Sequence, residues 1–201
     1  MKMKRTLLFL MAAACILAGC SRSLKFTVES DLASAGFPEN ADTVLLANEV
    51  FQTPLKAAVK DGAFVLKGKV ETPQFSLLSA FGPGRKVTRS VILEKGNIRF
   101  EDGYAVGTPL NDAVTALTRD LQQLAQENKG DLEGLKKAAS EKISAFVSEH
   151  KGDPSAIPAL FLAERVMEPE ALLDLIATTK PEVRNHGEIT ILKGRLNGGR
   201  P

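Results

Sequence analysis

The residues with the clearest chemical purpose are Leu17, Ala18, Gly19 and Cys20, four in a row. Lys2, Lys4 and Arg5 form a positive start, an apolar run from Leu7 to Leu17 follows, and Ala18 and Gly19 supply a small-residue cleavage context. The apolar run is shorter than the roughly 20 residues a spanning helix needs. A plain secretory signal or an uncleaved anchor uses the same ingredients, but neither requires Leu, Ala, Gly and Cys in that order. The order matches a bacterial lipobox. In this reading residues 1–19 are a signal peptide, and Cys20 carries a thioether-linked diacylglycerol and becomes the new N-terminus. An added amide-linked chain makes the anchor stable, at about 0.8 kcal/mol per buried CH₂. Residues 20–23 form a short lipidated tether, and the partner implied is membrane lipid. Ser21 stands where an aspartate would mark inner-membrane retention in proteobacteria. The expected location is the cell envelope, facing the periplasm, with inner or outer membrane left open.

Other reactive residue types are sparse. Cys15 leaves with the leader and Cys20 is consumed by lipid, so the body has no thiol for a disulfide, a C-x-x-C pair or a nucleophile. His150 and His186 lack partners at metal-ligand spacing, and there is no H-E-x-x-H. His150 reads as a surface residue matched to a helix dipole. Gly82-Pro83-Gly84-Arg85-Lys86 has glycines and cations, but it lacks the Gly-Lys-Ser/Thr of a P-loop and reads as a turn between strands. No G-x-S-x-G elbow occurs. Glu168/Glu170 and Glu101/Asp102 lie in turn contexts. Lysines and glutamates around Glu133–Lys142 read as a solvated helix face. The expectation is a non-enzyme with no cofactor and no metal.

Charge excludes another class. Three of the 26 Lys and Arg lie in the leader, leaving 23 against 24 Asp and Glu, a formal net of −1 for the mature chain. The basicity belongs to the leader, and nothing reads as a nucleic-acid-binding face. Tryptophan is absent and Tyr104 is the single tyrosine, which argues against an aromatic carbohydrate platform.

The elements that would position any site change character near Gly107. Residues 24–106 alternate short apolar runs with turns, predicting strands at 24–30, 43–48, 55–60, 63–70, 74–81, 87–94, 97–101 and 104–106. Asp61-Gly62 and Asp102-Gly103 suit type I′ hairpin turns, and Lys95-Gly96 is a weaker third. This is an antiparallel sandwich or barrel-like module. Residues 107–196 read as helical. Thr108 can cap and Pro109 fits N1 of a first helix, with an apolar stripe of Leu110, Val114, Leu117, Leu121 and Leu124. Asp131 caps a second helix, striped by Leu132, Leu135, Ala139, Ile143 and Phe146. Ser155 caps a third running to about Val166, and Pro169 and Pro181 open two more. Residues 188–192 read equally as helix or strand. Residues 197–201 read as a disordered tail or linker. The fold class is α+β: a β-module followed by a helical lobe.

Three segments in order add a resemblance. Asp61-Gly62-Ala63-Phe64-Val65-Leu66-Lys67-Gly68, Val91-Ile92-Leu93-Glu94-Lys95-Gly96-Asn97-Ile98 and Gly107-Thr108-Pro109-Leu110-Asn111-Asp112-Ala113, behind a lipobox, resemble the N-terminal module (domain of unknown function 4369) of thioredoxin-like lipoproteins of the Bacteroidetes type. The helices around Asp153-Pro154 and Glu170-Ala171-Leu172-Leu173 are similar to the segment those proteins place before their thioredoxin domain. The resemblance implies a C-x-x-C domain downstream, which these 201 residues do not contain, so no catalytic residue carries over. It also makes Asp42-Thr43-Val44 match a short O-glycosylation pattern, with Thr43 the acceptor; the same residues read as a turn entering a strand. Two expectations follow. One is a tethered, non-catalytic binding or interaction module. The other is an accessory to, or truncated relative of, a thiol-disulfide oxidoreductase, with a thioredoxin-like lipoprotein or other envelope protein as partner.

Overall fold

The computed structural model describes residues 23–49, 51 and 53–198. Cys20, the leader and residues 199–201 of the expected tail lie outside them. The described residues form eight strands: β1 Leu24–Asp31, β2 Thr43–Ala47, β3 Leu55–Ala58, β4 Ala63–Val70, β5 Gln74–Gly82, β6 Arg85–Leu93, β7 Gly96–Glu101 and β8 Tyr104–Val106. Six helices follow: α1 Pro109–Glu127, α2 Leu132–Glu149, α3 Ala156–Ala163, α4 Pro169–Thr178, α5 Pro181–Arg184 and α6 Gly187–Leu196. The molecule is α+β.

The strands build two four-stranded sheets, ordered β4-β1-β7-β8 and β3-β2-β5-β6. The arrangement is a sandwich and not a closed barrel. Period-two alternation sends Phe26, Val28, Phe64, Leu66, Ile98 and Phe100 inward from the first sheet. Val44, Leu46, Leu78, Ala80, Val91 and Leu93 meet them from the second. The loop after β1 closes one end with Phe37, whose ring lies 6.0 Å from Phe64 and 6.4 Å from Phe100.

Two expectations about pairing are corrected. β1 and β7 run parallel, with Phe26 beside Gly96 and Val28 beside Ile98. Lys95-Gly96 is not a hairpin turn, because β6 and β7 belong to different sheets. The chain crosses the sandwich there, and that crossing brings β7 in alongside β1. The Asp-Gly turns form as read: Asp61 and Gly62 have φ of 52° and 75°, Asp102 and Gly103 of 52° and 82°. Aspartate tolerates this left-handed region and glycine enters it freely. After Asp61-Gly62 only the Lys60–Ala63 bridge forms before β3 and β4 part into separate sheets. Pro83-Gly84 joins β5 to β6, with Gly82 opposite Arg85.

The helical lobe has its own core. Leu117, Ile143, Val147, Ile157, Leu160, Leu172, Ile176, Val183, Ile189 and Leu192 pack together, joined by Phe75 of β5. The first half of β5 is therefore covered on both faces, while Phe81 near its end is exposed. The predicted stripe of α1 is rotated. Leu117 is buried, Leu110, Val114, Leu121 and Leu124 are half-buried, and the polar Asn111 and Thr115 are buried instead. On α2, Leu132 is exposed and Val147 takes the core position. Residues 188–192 are helical. Ile189 and Leu192, three apart, are buried while Ile191 faces solvent, which a strand would not allow.

Candidate functional site: an apolar cleft between the lobes

The start of α1 fixes how the lobes meet. Thr108 is the N-cap residue but its side chain does not cap. Glu94, just past β6, does so from the sheet: its Oε1 accepts the N–H groups of Leu110 (2.8 Å) and Asn111 (3.3 Å). A carboxylate at a helix N-terminus satisfies orphan donors and matches the helix dipole. The Asp112 carboxylate accepts from the Gly107 N–H at 2.8 Å. Asn111 then reaches back to β6. Its Nδ2 donates to the Ile92 carbonyl (2.7 Å) and to Thr108 Oγ1 (2.8 Å), and its Oδ1 accepts from the Ile92 N–H (2.9 Å). One turn on, Thr115 Oγ1 donates to the Ala105 carbonyl at 2.7 Å.

Held this way, α1 stands off the outer face of the second sheet and leaves a cleft of about 370 Å³. Phe75 and Leu77 of β5 and Ile92 of β6 form its floor. Val114 and Thr118 of α1 line one wall, Tyr104 and Ala105 of β8 another, and Phe161 and Leu162 of α3 the roof. Most polar groups here are already committed. Thr118 Oγ1 donates to the Val114 carbonyl at 2.9 Å, and Tyr104 Oη accepts from Gln122 at 2.6 Å. The Ser90 hydroxyl and the Glu188 carboxylate remain, and neither has a hydrogen-bond partner or close ion-pair partner among the described residues.

Beside the cleft lies a smaller hollow of about 200 Å³ that shares Phe75, Leu77 and Glu188 with it. His186 and Glu49 border it. His186 Nδ1 accepts the Glu188 N–H at 3.3 Å. Nδ1 lies 3.6 Å from Glu49 Oε1, and that oxygen accepts the Gly187 N–H. The His186 ring meets Phe75 edge-on at 5.7 Å. His186 thus caps α6 and packs between the lobes. The roof is braced by Arg195, which donates two hydrogen bonds to Glu164 (3.0 and 2.8 Å) and lies 5.6 Å from the Phe161 ring centre. The hydrogen bonds to Glu164 hold the Arg195 guanidinium above its ordinary pKa.

The residues singled out by sequence fall elsewhere. Thr43 heads β2, half-buried and paired in register with Ala58, away from the cleft lining. Cys20 lies outside the described residues. His150 ends α2 as expected, but it is half-buried, stacked on Phe146 at 4.3 Å and bonded to Asp153 at 3.0 Å. Ser155 is the N-cap residue of α3 but its side chain makes no cap bond; its hydroxyl and N–H both donate to Asp153 Oδ1. Among the described residues no three His, Cys, Asp or Glu side chains cluster as a metal ion would require. No helix there is long and apolar enough to cross a membrane. Sequence reasoning missed the roles of Glu94, Asn111 and Thr115; the signal for Asn111 and Thr115 was two polar residues spaced by four on α1, and no local pattern marked Glu94. Compared with family models, curated proteins and solved structures, the chain matches none.

Proposed function

We propose that the chain is a lipid-anchored envelope protein whose folded body is a non-catalytic binding module, with the interlobe cleft as its binding site. The observation that carries this reading is the cleft itself: an apolar hollow between two packed lobes, in the kind of position small-molecule sites favour. Its free polar groups point to the ligand class. Glu188 places a carboxylate on the lining of an apolar space, with no hydrogen-bond partner among the described residues and the Arg195 guanidinium acting on it only through charge. That combination favours an amphipathic ligand with an apolar body and a cationic or hydrogen-bond-donating head. Phe75, Leu77 and Phe161 supply the apolar contact. The test is calorimetric titration with dodecylamine and with dodecanoate, below their micelle concentrations. Saturable binding of the amine, weaker binding of the carboxylate, and loss of both in Val114→Trp with an unchanged unfolding midpoint are expected. Failure of the wild-type protein to bind either removes the cleft as the site.

The lipobox at Cys20 supports the anchored location, checked by metabolic labelling with tagged palmitate, which Cys20→Ala should abolish. A second reading follows from the ordered segments. The Asp61-Gly62 turn, the β6–β7 corner and the opening of α1 coincide with the three stretches that resemble the domain of unknown function 4369 module. In that reading the cleft receives an apolar segment of a thioredoxin-like lipoprotein, which supplies redox chemistry in trans. Crosslinking in cells followed by mass spectrometry tests it, and a partner list without a thioredoxin-like protein counts against it.

A further inference from the structure

The outer face of the first sheet separates its charges along the strand direction. At the end where β1 begins, Lys25 lies directly opposite Lys69 of β4, and Lys67 lies opposite Thr27. Lys95 sits at the corner just before β7. It shares a shallow depression with Ser23, Lys25, Thr27 and Asn97. All four lysines are exposed. Among the described residues none of the four has an ion-pair partner. The acids gather at the opposite end: Glu29 and Asp31 on β1, Asp61 and Asp102 in the hairpin turns, and Glu101 on β7. Glu71 is the exposed acid near the lysines; Lys60 and Arg99, the latter paired with Glu101 at 3.1 Å, are exposed cations among the acids. Glu94 is near too, but it is buried and bonded to the first amides of α1.

Like charges directly opposite on a sheet are destabilising, so the Lys25–Lys69 pair works against the fold it sits in. Lysines on an outermost strand also blunt edge-to-edge pairing. That accounts for Lys67 and Lys69 on β4 but not for Lys25 on an inner strand or Lys95 at a corner. We infer that this face is the surface on which the tethered body rests against anionic phospholipid headgroups. The inference rests on the reading of Cys20 as a lipid anchor. Three residues separate Cys20 from Leu24, and a chain of that length reaches at most about 14 Å. The start of β1 is then held near the headgroups, and the charges that start presents are lysines. Basic residues close to an anionic leaflet are attracted over about one Debye length, about 8 Å at physiological salt.

The experiment uses the full chain, processed in a bacterial host, extracted in detergent and reconstituted into two kinds of vesicle. One is phosphatidylcholine alone and the other contains one part in three of phosphatidylglycerol. Lysine acylation rates are read by mass spectrometry. Labelling of Lys25, Lys67, Lys69 and Lys95 is expected to slow about threefold or more on the anionic vesicles only. Lys136 and Lys137 on α2 should label equally on both. Salt at 1 M, where the Debye length falls to about 3 Å, should abolish the difference. In Lys25→Gln/Lys95→Gln, Lys67 and Lys69 should label alike on both vesicles. If the protein floats with phosphatidylcholine vesicles but the four lysines label equally on both kinds, the docking face is overturned while the anchor stands. If it does not float with phosphatidylcholine vesicles, the anchor reading falls and the docking face falls with it.

Discussion

The carboxamide of Asn111 lies where a further strand would otherwise pair with β6, and it takes both the N–H and the carbonyl of Ile92. β6 is the outer strand of its sheet, so these peptide groups have no partner within it. Asn111 is buried, and a buried peptide group left unpaired costs about 1–3 kcal/mol. Asn111→Leu preserves bulk and removes every one of these bonds. It is expected to destabilise the protein by about 2–4 kcal/mol, read by urea unfolding followed by circular dichroism. A loss below about 0.5 kcal/mol would mean that water replaces the carboxamide. Asp31 gives a residue-scale prediction in pH. Its carboxylate accepts the Ser34 N–H at 2.7 Å and the Ser34 hydroxyl at 2.8 Å, and these bonds lower its pKa. The unfolded chain therefore binds a proton there at a higher pH than the folded chain does. The stabilisation is complete above the ordinary carboxylate pKa of about 4 and is lost as pH falls through the lower folded value. The stability difference between wild type and Asp31→Ala should be constant from pH 5 to 7, as about two decades of proton activity, and shrink below about pH 4. A difference that grows on acidification contradicts the assignment.

At the scale of elements, α6 tests how a local pattern is decided. Ile189 and Ile191 alternate as in a strand, while Ile189, Leu192 and Leu196 recur as on a helix. Burial settles the matter for the helix, so two neighbouring substitutions should differ sharply. Leu192→Ala is expected to cost about 2–5 kcal/mol and Ile191→Ala less than about 0.5 kcal/mol, measured by urea unfolding. Comparable costs would put the chain in a strand register. The same contrast explains what was legible in the sequence. Strand positions were readable because one inward face alternates cleanly, as in Phe64 and Leu66 or Ile98 and Phe100. Both Asp-Gly turns were readable because positive φ at two successive positions admits few residues. Strand partners were not, since whether Lys95-Gly96 folds back as a hairpin or crosses the sandwich depends on long-range packing. The cleft was not readable either. Its floor comes from β5 and β6, its walls from β8 and α1 and its roof from α3, and no local pattern joins them. Asn111 and Thr115 lie off the predicted apolar stripe, and their burial follows from partners on other elements, the Ile92 peptide groups of β6 and the Ala105 carbonyl of β8.

Across the whole molecule, two cores meet through a narrow set of contacts. The sandwich core and the helical core share no buried residue. They are joined by Phe75 and Leu77 of β5, with His186 edge-on to Phe75, by the Gly187 N–H on Glu49, by the Glu94 and Asn111 bonds at the start of α1, and by Thr115 on Ala105. Helices α3 to α6 run eight, ten, four and ten residues. Isolated helices shorter than about 12–15 residues are marginal in water, so these four depend on packing against Phe75, α1 and α2. The sandwich carries its own strand ladders and enclosed core. Weakening the joint should therefore release the helical lobe before the sandwich. Native-state hydrogen exchange reads this directly. In the wild type, amides of α3, α4 and α6 should exchange through the same global opening as those of β1 and β5. In Asn111→Leu, the helical amides should lose protection by about tenfold more than the strand amides, which corresponds to about 1.4 kcal/mol of separation. Equal loss in both lobes would show that the cores unfold as one unit, and that the cleft between them is a gap in a single cooperative structure.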